Sequence, residues 1–411
     1  MQEFTPTQYL KIDIANSYGL DKLKWQERID WFDQNLPQLG SLIPQAKEPA
    51  MFYAGCKAYN DALEGKPSGY MVSLDATASG MQLLAAMTGC RKTAELCNVV
   101  SVGSGPEGTG AKRMDAYTVI YNAMLDELGE EGKISRDDTK QAIMTSFYSS
   151  KAVPKKVFGE GALLDLFYDT MKAKAPGAWE LNDAMLSMWQ PDTLAHEWVL
   201  PDNFHVKVKV MASVAETVHF RNQPFEIYFQ ENIPQDTGRS LSANCTHSVD
   251  GMVVREITRR CDYDINMVNE LYNLLAENHE DLADRQRHDR EDDKLVMILW
   301  DHYQKSGYLS ARILQHLNAE NIGHVDCAVI WELLNSLPEK PFKVLSIHDA
   351  FRCHPNYAND LRRQYINQLA LIAKSNLLSF MASQIMGRHI IINKLDDNLW
   401  QDVLDAEYAL S

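Results

Sequence analysis

Two aspartates stand where short apolar segments end. Asp75 follows residues 70–74 and Asp349 follows residues 342–347, and each segment has the character of a strand. Strands that end at one edge of a small sheet can bring two carboxylates together, and carboxylate oxygens are ligands that hard divalent cations prefer. A pair of such ions supports phosphoryl transfer. The alternative is that each aspartate simply caps its strand, as many strand ends do.

A stripe of cations and one aromatic ring runs through residues 136–151, which have a helical pattern. Positions four apart on an α-helix are separated by only about 40° around its axis, so the stripe lies on one face. It suits a nucleoside triphosphate, because the cations can bind phosphates while the ring lies by the sugar and base. The alternative is a surface cationic face with a half-buried tyrosine. The residues of the stripe are Arg136, Lys140, Met144 and Tyr148.

The hydrophobic pattern predicts the elements that position these residues. Thr5-Pro6-Thr7-Gln8 combines a capping box with proline at the first helical position, so a helix should begin there, continue through Ala15 and end near Gly19. A second helix is indicated by apolar residues at i, i+4, i+7 and i+11, namely Trp25, Ile29, Phe32 and Leu36.

Further along, the chain alternates between strand and helix patterns. Residues 206–210 alternate like a strand, and residues 225–230 can return as its hairpin partner. Residues 257–337 are predicted to be a long, mostly helical block. Within it, residues 284–294 mix both charge signs densely, which is typical of a solvated helix face or loop.

Charge and cysteine content exclude several classes of function. The formal net charge of −16 works against binding nucleic acid by overall attraction, because phosphate contacts need Lys or Arg. Any nucleic acid must therefore lie in a locally basic channel. The seven cysteines include no Cys-x-x-Cys pair, so we expect reduced thiols and no zinc site. No apolar stretch is long enough to span a bilayer, so we expect a cytoplasmic protein with no membrane contact.

Two motif-like segments predict no function. Gly103-Ser104-Gly105-Pro106-Glu107-Gly108 fits the dinucleotide-binding G-x-G-x-x-G pattern, but the proline and the missing strand–helix–strand context argue for a loop. His279-Glu280-Asp281-Leu282-Ala283 lacks the second histidine of the zinc protease motif.

The residues around the candidate carboxylates resemble those of a known family. Asp75-Ala76-Thr77-Ala78-Ser79-Gly80-Met81-Gln82 resembles the first catalytic motif of the single-subunit RNA polymerases of T-odd phages and mitochondria, an Asp followed by Ser-Gly-x-Gln. Ile347-His348-Asp349-Ala350-Phe351 resembles their third motif, His-Asp-Ser-Phe, with Ala350 in place of serine. The stripe from Arg136 to Lys151 is similar to their second motif.

The resemblance runs in register from about Tyr9 to the C-terminus. It includes Leu10-Lys11-Ile12 with Gly19-Leu20-Asp21-Lys22, Asp115-Ala116-Tyr117, Thr246-His247-Ser248-Val249-Asp250-Gly251 and an acidic-aromatic tail at residues 403–409.

The resemblance implies a reaction and a set of site residues. The reaction is template-directed transfer of a nucleoside monophosphate to an RNA 3' end. Asp75 and Asp349 would hold two Mg²⁺ ions, with help from the backbone carbonyl of Ala76. Lys11, Arg136 and Lys140 would bind the triphosphate, and Tyr148 with His247 would select the ribose.

The resemblance also implies an α+β architecture, a small antiparallel palm sheet with mostly helical fingers. We expect the first part of the palm in residues 1–130, fingers in 131–256, a helical insertion in 257–337 and the second part of the palm in 338–411. The family's thumb, N-terminal promoter-binding domain and Asp-x-x-Gly-Arg motif lie upstream of the matched segment, so we expect them to be absent from this chain.

This organisation resembles the larger, catalytic subunit of the heterodimeric RNA polymerase of schitovirus-type phages. It implies a DNA template, an RNA product and a smaller second subunit that supplies the thumb and the Asp-x-x-Gly-Arg motif. An accessory protein that opens the DNA is a further partner. The expected location is the cytoplasm of an infected bacterium.

Two other functions compete with this interpretation. A DNA polymerase of the related repair family shares the palm and a His-Asp pair, but its first motif lacks Ser79-Gly80-x-Gln82. A non-catalytic subunit with a polymerase fold has no physical reason to keep both the carboxylates and the cationic stripe.

Overall fold

The computed structural model describes residues 1–103, 110–129, 134–276 and 291–411. Three predictions therefore fall on segments that lie mostly or wholly outside the described residues. These segments are the glycine-rich residues 103–108, the residues 279–283 and the mixed-charge residues 284–294. The described part consists of helices and small antiparallel sheets, which confirms the predicted α+β class.

The described strands are β1 (Val72–Asp75), β2 (Ala195–Val199), β3 (His205–Lys209), β4 (Met211–Phe220), β5 (Gln223–Asn232), β6 (Leu345–Ile347) and β7 (Ala350–Cys353). The described helices are α1 (Pro6–Ala15), α2 (Trp25–Asn35), α3 (Leu39–Leu42), α4 (Pro49–Leu63), α5 (Ser79–Thr88), α6 (Arg91–Leu96), α7 (Ala116–Leu128), α8 (Arg136–Ser146), α9 (Ala152–Phe158), α10 (Ala162–Lys174), α11 (Pro176–Ser187), α12 (Ser240–Cys261), α13 (Ile265–Ala276), α14 (Glu291–Ser306), α15 (Cys327–Asn335), α16 (Ala358–Lys374), α17 (Leu377–Met386) and α18 (Leu399–Val403).

The two N-terminal helices form where the sequence predicts them. Thr5 caps α1, accepting a hydrogen bond from the Gln8 backbone N–H at 3.2 Å, while the Gln8 side chain accepts from the Thr5 N–H at 2.8 Å. The chain then makes a π-helical turn, Asn16–Leu20, which includes Gly19 at φ 116°. This left-handed conformation favours glycine, so Gly19 ends the first helical segment as predicted.

A three-stranded antiparallel sheet, in the order β1-β7-β6, carries the two aspartates. In the β1–β7 register, Leu74 lies opposite Phe351 and Asp75 lies opposite Ala350. Leu74 and Phe351 are buried, and side chains alternate between the two faces of a sheet. Asp75 therefore points to the face that does not pack on the core.

Residues 206–210 do not pair with residues 225–230, contrary to prediction. β3 pairs with β2, and β4 pairs with β5. Arg221 and Asn222 both have positive φ, 50° and 64°, which is the conformation of the tightest hairpin turns. This turn folds β5 back onto β4, so β3 is left to pair with the preceding strand. All ten residues of β5 are exposed.

The predicted helix over residues 136–151 is shorter in the structure. α8 ends at Ser146, and the Tyr148 and Ser150 backbone N–H groups both donate to the Thr145 carbonyl. Ser149 has a positive φ of 63°, which closes this turn. Tyr148 therefore lies in the turn just beyond the helix.

Buried apolar side chains form two clusters in the described part of the chain. The larger extends from Phe4 to Leu410 and includes the three-stranded sheet. The smaller is confined to Val268–Leu334. α12 contributes to the larger cluster and runs without interruption across the expected boundary at residue 257.

Buried charges attach the smaller cluster to the larger one. Glu256 on α12 accepts hydrogen bonds from the Ser310 hydroxyl and from the Ala311 backbone N–H, the latter at 2.8 Å. Nearby, the fully buried Asp202 carboxylate pairs with Arg255 at 2.6 Å and Arg259 at 3.0 Å. Buried carboxylates need such partners because desolvation is costly.

Within the described residues, a helix long and apolar enough to cross a bilayer is found only if Pro355–Lys374 and Leu377–Met386 are taken together, and that pair is bent by 59°.

Candidate active site

A cleft of about 550 Å³ borders the exposed face of the three-stranded sheet. Asp75 and Asp349 lie on it, together with residues from α1, α5, α8 and the segment before α7. Its described lining contains five carboxylates and five cations. The predicted basic channel is therefore a charge-balanced cleft in this structure.

The two aspartates are held together through the backbone. Asp349 follows His348 in the two-residue turn between β6 and β7, and His348 has a positive φ of 55°. The Ala76 N–H donates to the Asp349 backbone carbonyl at 3.1 Å. The end of β1 and the β6–β7 turn therefore form one structural unit.

The charge of one aspartate acts on the other. Burial raises the pKa of Asp75, and repulsion from Asp349 raises it further. A cation between the two carboxylates would relieve this repulsion. The described residues contain no group of three or more acidic, His or Cys side chains arranged to hold a metal ion.

The backbone carbonyl of Ala76 fits the same site. Ala76 forms an antiparallel bridge with Leu410. The bonds of this bridge run from the Thr77 N–H to the Ala409 carbonyl and from the Ser411 N–H to the Asp75 carbonyl. The Ala76 carbonyl does not take part in them.

A third carboxylate lies beside the pair. Burial and repulsion from Asp349 raise the pKa of Asp250 to about 6, and the Ser79 hydroxyl approaches its carboxylate at 3.5 Å. Asp250 belongs to the His-Ser-x-Asp-Gly segment, but sequence analysis assigned it no role. Asp13 was missed altogether. It lines the cleft, and burial raises its pKa to about 6.

Gly80 and Tyr148 fit closely against each other. A Cβ on Gly80 would lie 2.5 Å from the Tyr148 hydroxyl oxygen and 3.1 Å from the adjacent ring carbon. The Tyr148 ring in turn packs on His247, with ring centroids 4.6 Å apart. Tyr148, from the second motif, therefore leaves no room for a side chain at Gly80 of the first motif. Burial raises the pKa of Tyr148 to about 12, with repulsion from Asp250 and Asp349 as smaller causes.

The predicted phosphate-binding cations are in different environments. Lys140 lines the cleft, with its ammonium 5.3 Å from the centroid of the Tyr117 ring. Arg136 is paired with Asp115 at 2.6 Å and donates to Thr118. It is not among the residues that line the cleft.

Lys11 is also held elsewhere. Its ammonium pairs with Asp33 on α2 at 2.6 Å, and it does not line the cleft. The cations that do line it, besides Lys140, are Lys22, Lys47, Arg113 and Arg352. Of these four, only Lys22 belongs to a segment that resembles the polymerase family in the motifs above, Gly19-Leu20-Asp21-Lys22. Its position directly after the Gly19 turn is the signal that could have identified it.

Comparison with known proteins agrees with the motifs. Residues 4–166 match the family model of DNA-dependent RNA polymerase. The chain is 29% identical over 168 residues to the mitochondrial DNA-directed RNA polymerase of Neurospora crassa, an alignment that covers 34% of this chain and 11% of that protein. It is 26% identical over 179 residues to the DNA-directed RNA polymerase of Pseudomonas phage phiKMV, covering 34% of this chain and 21% of the phage protein.

One alignment is much longer. The chain is 24% identical over 399 residues to a probable DNA-directed RNA polymerase of Gelasinospora sp. (strain G114), covering 90% of this chain and 43% of that protein. The chain thus spans less than half the length of these relatives. The resemblance to phage and mitochondrial RNA polymerases is confirmed over residues 4–166.

The contact between Gly80 and Tyr148 predicts a specific sensitivity. Gly80→Ala should lower the free energy of unfolding by about 1–3 kcal/mol, because the added methyl group overpacks the site. Tyr148→Phe in the same chain should restore part of this loss, since it removes the nearest atom. Denaturant unfolding of the single and double variants measures both effects.

Gly69→Ala is the matched control, because no heavy atom lies within 4 Å of its added Cβ. A Gly80→Ala protein as stable as the Gly69→Ala protein would contradict the packing described here.

Proposed function

We propose that this chain is the catalytic subunit of a DNA-directed RNA polymerase of the single-subunit phage and mitochondrial type. The observation that carries the proposal is the meeting of three distant motifs at one cleft, with Asp75 and Gly80 from the first, Tyr148 from the second and Asp349 from the third. The reaction is template-directed transfer of a nucleoside monophosphate to an RNA 3' end, with release of pyrophosphate.

Asp75 and Asp349, assisted by the Ala76 carbonyl, are the proposed ligands of two Mg²⁺ ions. When bound, the ions supply activation of the attacking 3'-hydroxyl and neutralisation of the leaving pyrophosphate. Mutual repulsion of the two carboxylates supports this assignment, since it makes the site favourable for divalent cations. The open edge of the sheet leaves room for phosphate oxygens.

Lys140 is the proposed principal protein contact to the triphosphate. It projects from α8 into the cleft, and its ammonium can neutralise phosphate charge there. Arg136 and Lys11 can contribute only if phosphate replaces their present carboxylate partners, Asp115 and Asp33.

Tyr148 and His247 are the proposed ribose-recognition pair. The contact between their rings supports a joint role. The Tyr148 hydroxyl is protonated at neutral pH, and burial raises its pKa further to about 12, so it can donate a hydrogen bond to the sugar or to water that contacts the sugar.

The proposed assembly is a heterodimer like that of schitovirus-type phages, acting in the cytoplasm of an infected bacterium. A net charge of −16 supports it, because a grip on the growing duplex requires many cations. A smaller, relatively more basic subunit would supply the thumb and the Asp-x-x-Gly-Arg motif, and an accessory protein would open the DNA.

Removing either metal-binding carboxylate should abolish RNA extension. Asp75→Asn and Asp349→Asn should each lower the rate by about 10²-fold or more, because charge stabilisation in the transition state is lost. Primer extension with ribonucleotides measures this, and Asp126→Asn, at an exposed site on α7, is the control. Either site variant retaining more than about a tenth of the wild-type rate would exclude the assignment.

Tyr148→Phe should narrow the preference for ribonucleotides over deoxyribonucleotides. A site built around a substrate hydroxyl discriminates through that polar contact. The measurement is the ratio of kcat/KM for the two nucleotide types, with Tyr53→Phe at an exposed tyrosine as the control. Unchanged discrimination together with normal ribonucleotide incorporation would place selection elsewhere, for example on His247 alone.

Activity should depend on the second subunit. The purified chain should elongate RNA poorly on single-stranded template and gain activity when the partner is added, through an interface well above the size of a transient encounter. Gel filtration and primer extension test both points. Processive transcription by a monomer of this chain would refute the heterodimer.

A further inference from the structure

We infer that Arg113 binds the triphosphate of the incoming nucleotide from the cleft wall that also carries Lys22. Neither the motifs nor the comparisons single out this residue. The inference rests on the proposed function, and it starts from the positions of the cations around the cleft.

Of the three cations predicted to bind the triphosphate, two are already paired with carboxylates in the structure. Arg136 is bound to Asp115 and Thr118, and Lys11 is bound to Asp33. Lys140 alone among them lines the cleft. A triphosphate carries several negative charges, and sites for it typically use more than one protein cation besides the metal ions.

Arg113 lines the cleft, and within the described residues its guanidinium has no hydrogen-bond or ion-pair partner. Its Nε–H is buried and has no hydrogen-bond acceptor, and its side chain makes no ion pair or hydrogen bond with any residue in the described ranges. Buried donors are almost always satisfied in folded proteins. An unsatisfied one that faces a cleft is therefore expected to meet its acceptor when a ligand binds.

The charges around Arg113 define one wall of the cleft. Lys22 pairs with Asp21 at 3.3 Å. Although burial opposes them, Lys22, Lys47 and Arg113 together hold the pKa of Asp21 below its ordinary value. Asp115, two residues after Arg113, is the carboxylate that holds Arg136. The wall thus presents the Lys22 ammonium and the Arg113 guanidinium towards the same space that Lys140 reaches from α8.

The backbone beside Arg113 is fixed relative to the metal-binding motif. Asn98 bonds both polar groups of Met114, donating to its carbonyl at 2.9 Å and accepting from its N–H at 2.8 Å. The same Asn98 amide donates to the Thr77 hydroxyl at 3.1 Å. Thr77 follows Asp75 by two residues. This chain of bonds gives Arg113 a defined distance from Asp75, as a phosphate contact requires.

Guanidinium chemistry favours phosphate as the ligand. Its planar fork can bind two phosphate oxygens at once, which an ammonium cannot do. The competing explanation is that Arg113 merely offsets the charges of Asp21 and Asp115. That structural role predicts a loss of stability on substitution and no selective loss of phosphate binding.

The test measures ligand binding to the purified chain in the presence of Mg²⁺ by calorimetry. The probes are ATP, inorganic tripolyphosphate and adenosine. Arg113→Gln should weaken binding of ATP and tripolyphosphate by about tenfold or more, because a charged hydrogen-bond partner of the phosphates is lost. Adenosine binding should not change. The affinity of Arg113→Lys for ATP and tripolyphosphate should lie between those of the wild type and Arg113→Gln. Lysine keeps the positive charge but cannot bind two phosphate oxygens at once.

Arg91→Gln is the control, since Arg91 is exposed and paired with Asp396 and Asp402. In primer extension with the complete polymerase, Arg113→Gln should raise KM for ribonucleotides more than it lowers kcat. Unchanged tripolyphosphate binding, or an equal loss of adenosine binding with reduced stability, would overturn the inference.

The experiment separates this inference from the proposed function. Wild-type chain that binds triphosphate through Arg113 but supports no RNA extension with any partner would refute the polymerase and keep the phosphate site. RNA extension by Arg113→Gln with an unaltered KM for ribonucleotides would keep the polymerase assignment and refute the phosphate site at Arg113. Wild-type chain that binds no triphosphate would overturn the Arg113 assignment directly.

Discussion

The site depends on the buried side chain of Gln82. Its amide nitrogen lies 2.9–3.0 Å from three acceptors, the Thr77 hydroxyl and the carbonyls of Cys97 and Ala409, and its amide oxygen accepts from the Tyr365 hydroxyl at 2.6 Å. These groups come from four separate parts of the chain. An amide that is fully desolvated must keep such partners, so the loop after Asp75 can adopt only one arrangement.

Around Gln82, charged side chains in and beside the cleft either repel one another or are paired with opposite charges. Burial and repulsion from Asp349 raise the pKa of Asp75 and of Asp250, while Arg136 and Lys11 are paired with carboxylates. Both features would suit the metal–triphosphate complex of the proposed function. A bound metal would relieve repulsion among the acids, and phosphates could compete for the paired cations. Hydrogen bonds fix the loop after Asp75, whereas phosphate could replace the carboxylate partners of Arg136 and Lys11.

The smaller hydrophobic cluster has a different relation to the site. It lies within Val268–Leu334 and is attached through the Glu256 side chain and through Arg312, which donates to the Asp202 backbone carbonyl. Glu256 and Asp202 are far in sequence from Asp75 and Asp349. α12 joins the two regions because its first half carries His247, whose ring packs on Tyr148, and it continues to Cys261. The exposed β4–β5 hairpin is a separate projection from the same half of the chain.

Local sequence patterns determined the elements whose causes are local. The capping box of α1, the apolar spacing of α2 and the strands that lead to Asp75 and Asp349 depend on residues close together in the chain. All of them form, although the strand predicted over residues 342–347 is limited to 345–347. The tertiary structure alone decided the end of α8, the pairing of β3 with β2 and the closeness of Gly80 to Tyr148. It also decided which cations face the cleft. The sequence motifs pointed to Lys11 and Arg136 and not to Arg113, but in the folded chain Asp33 and Asp115 pair with the first two. Such differences arise from contacts between residues brought together only by folding, and the spacing of residues along a chain does not contain them.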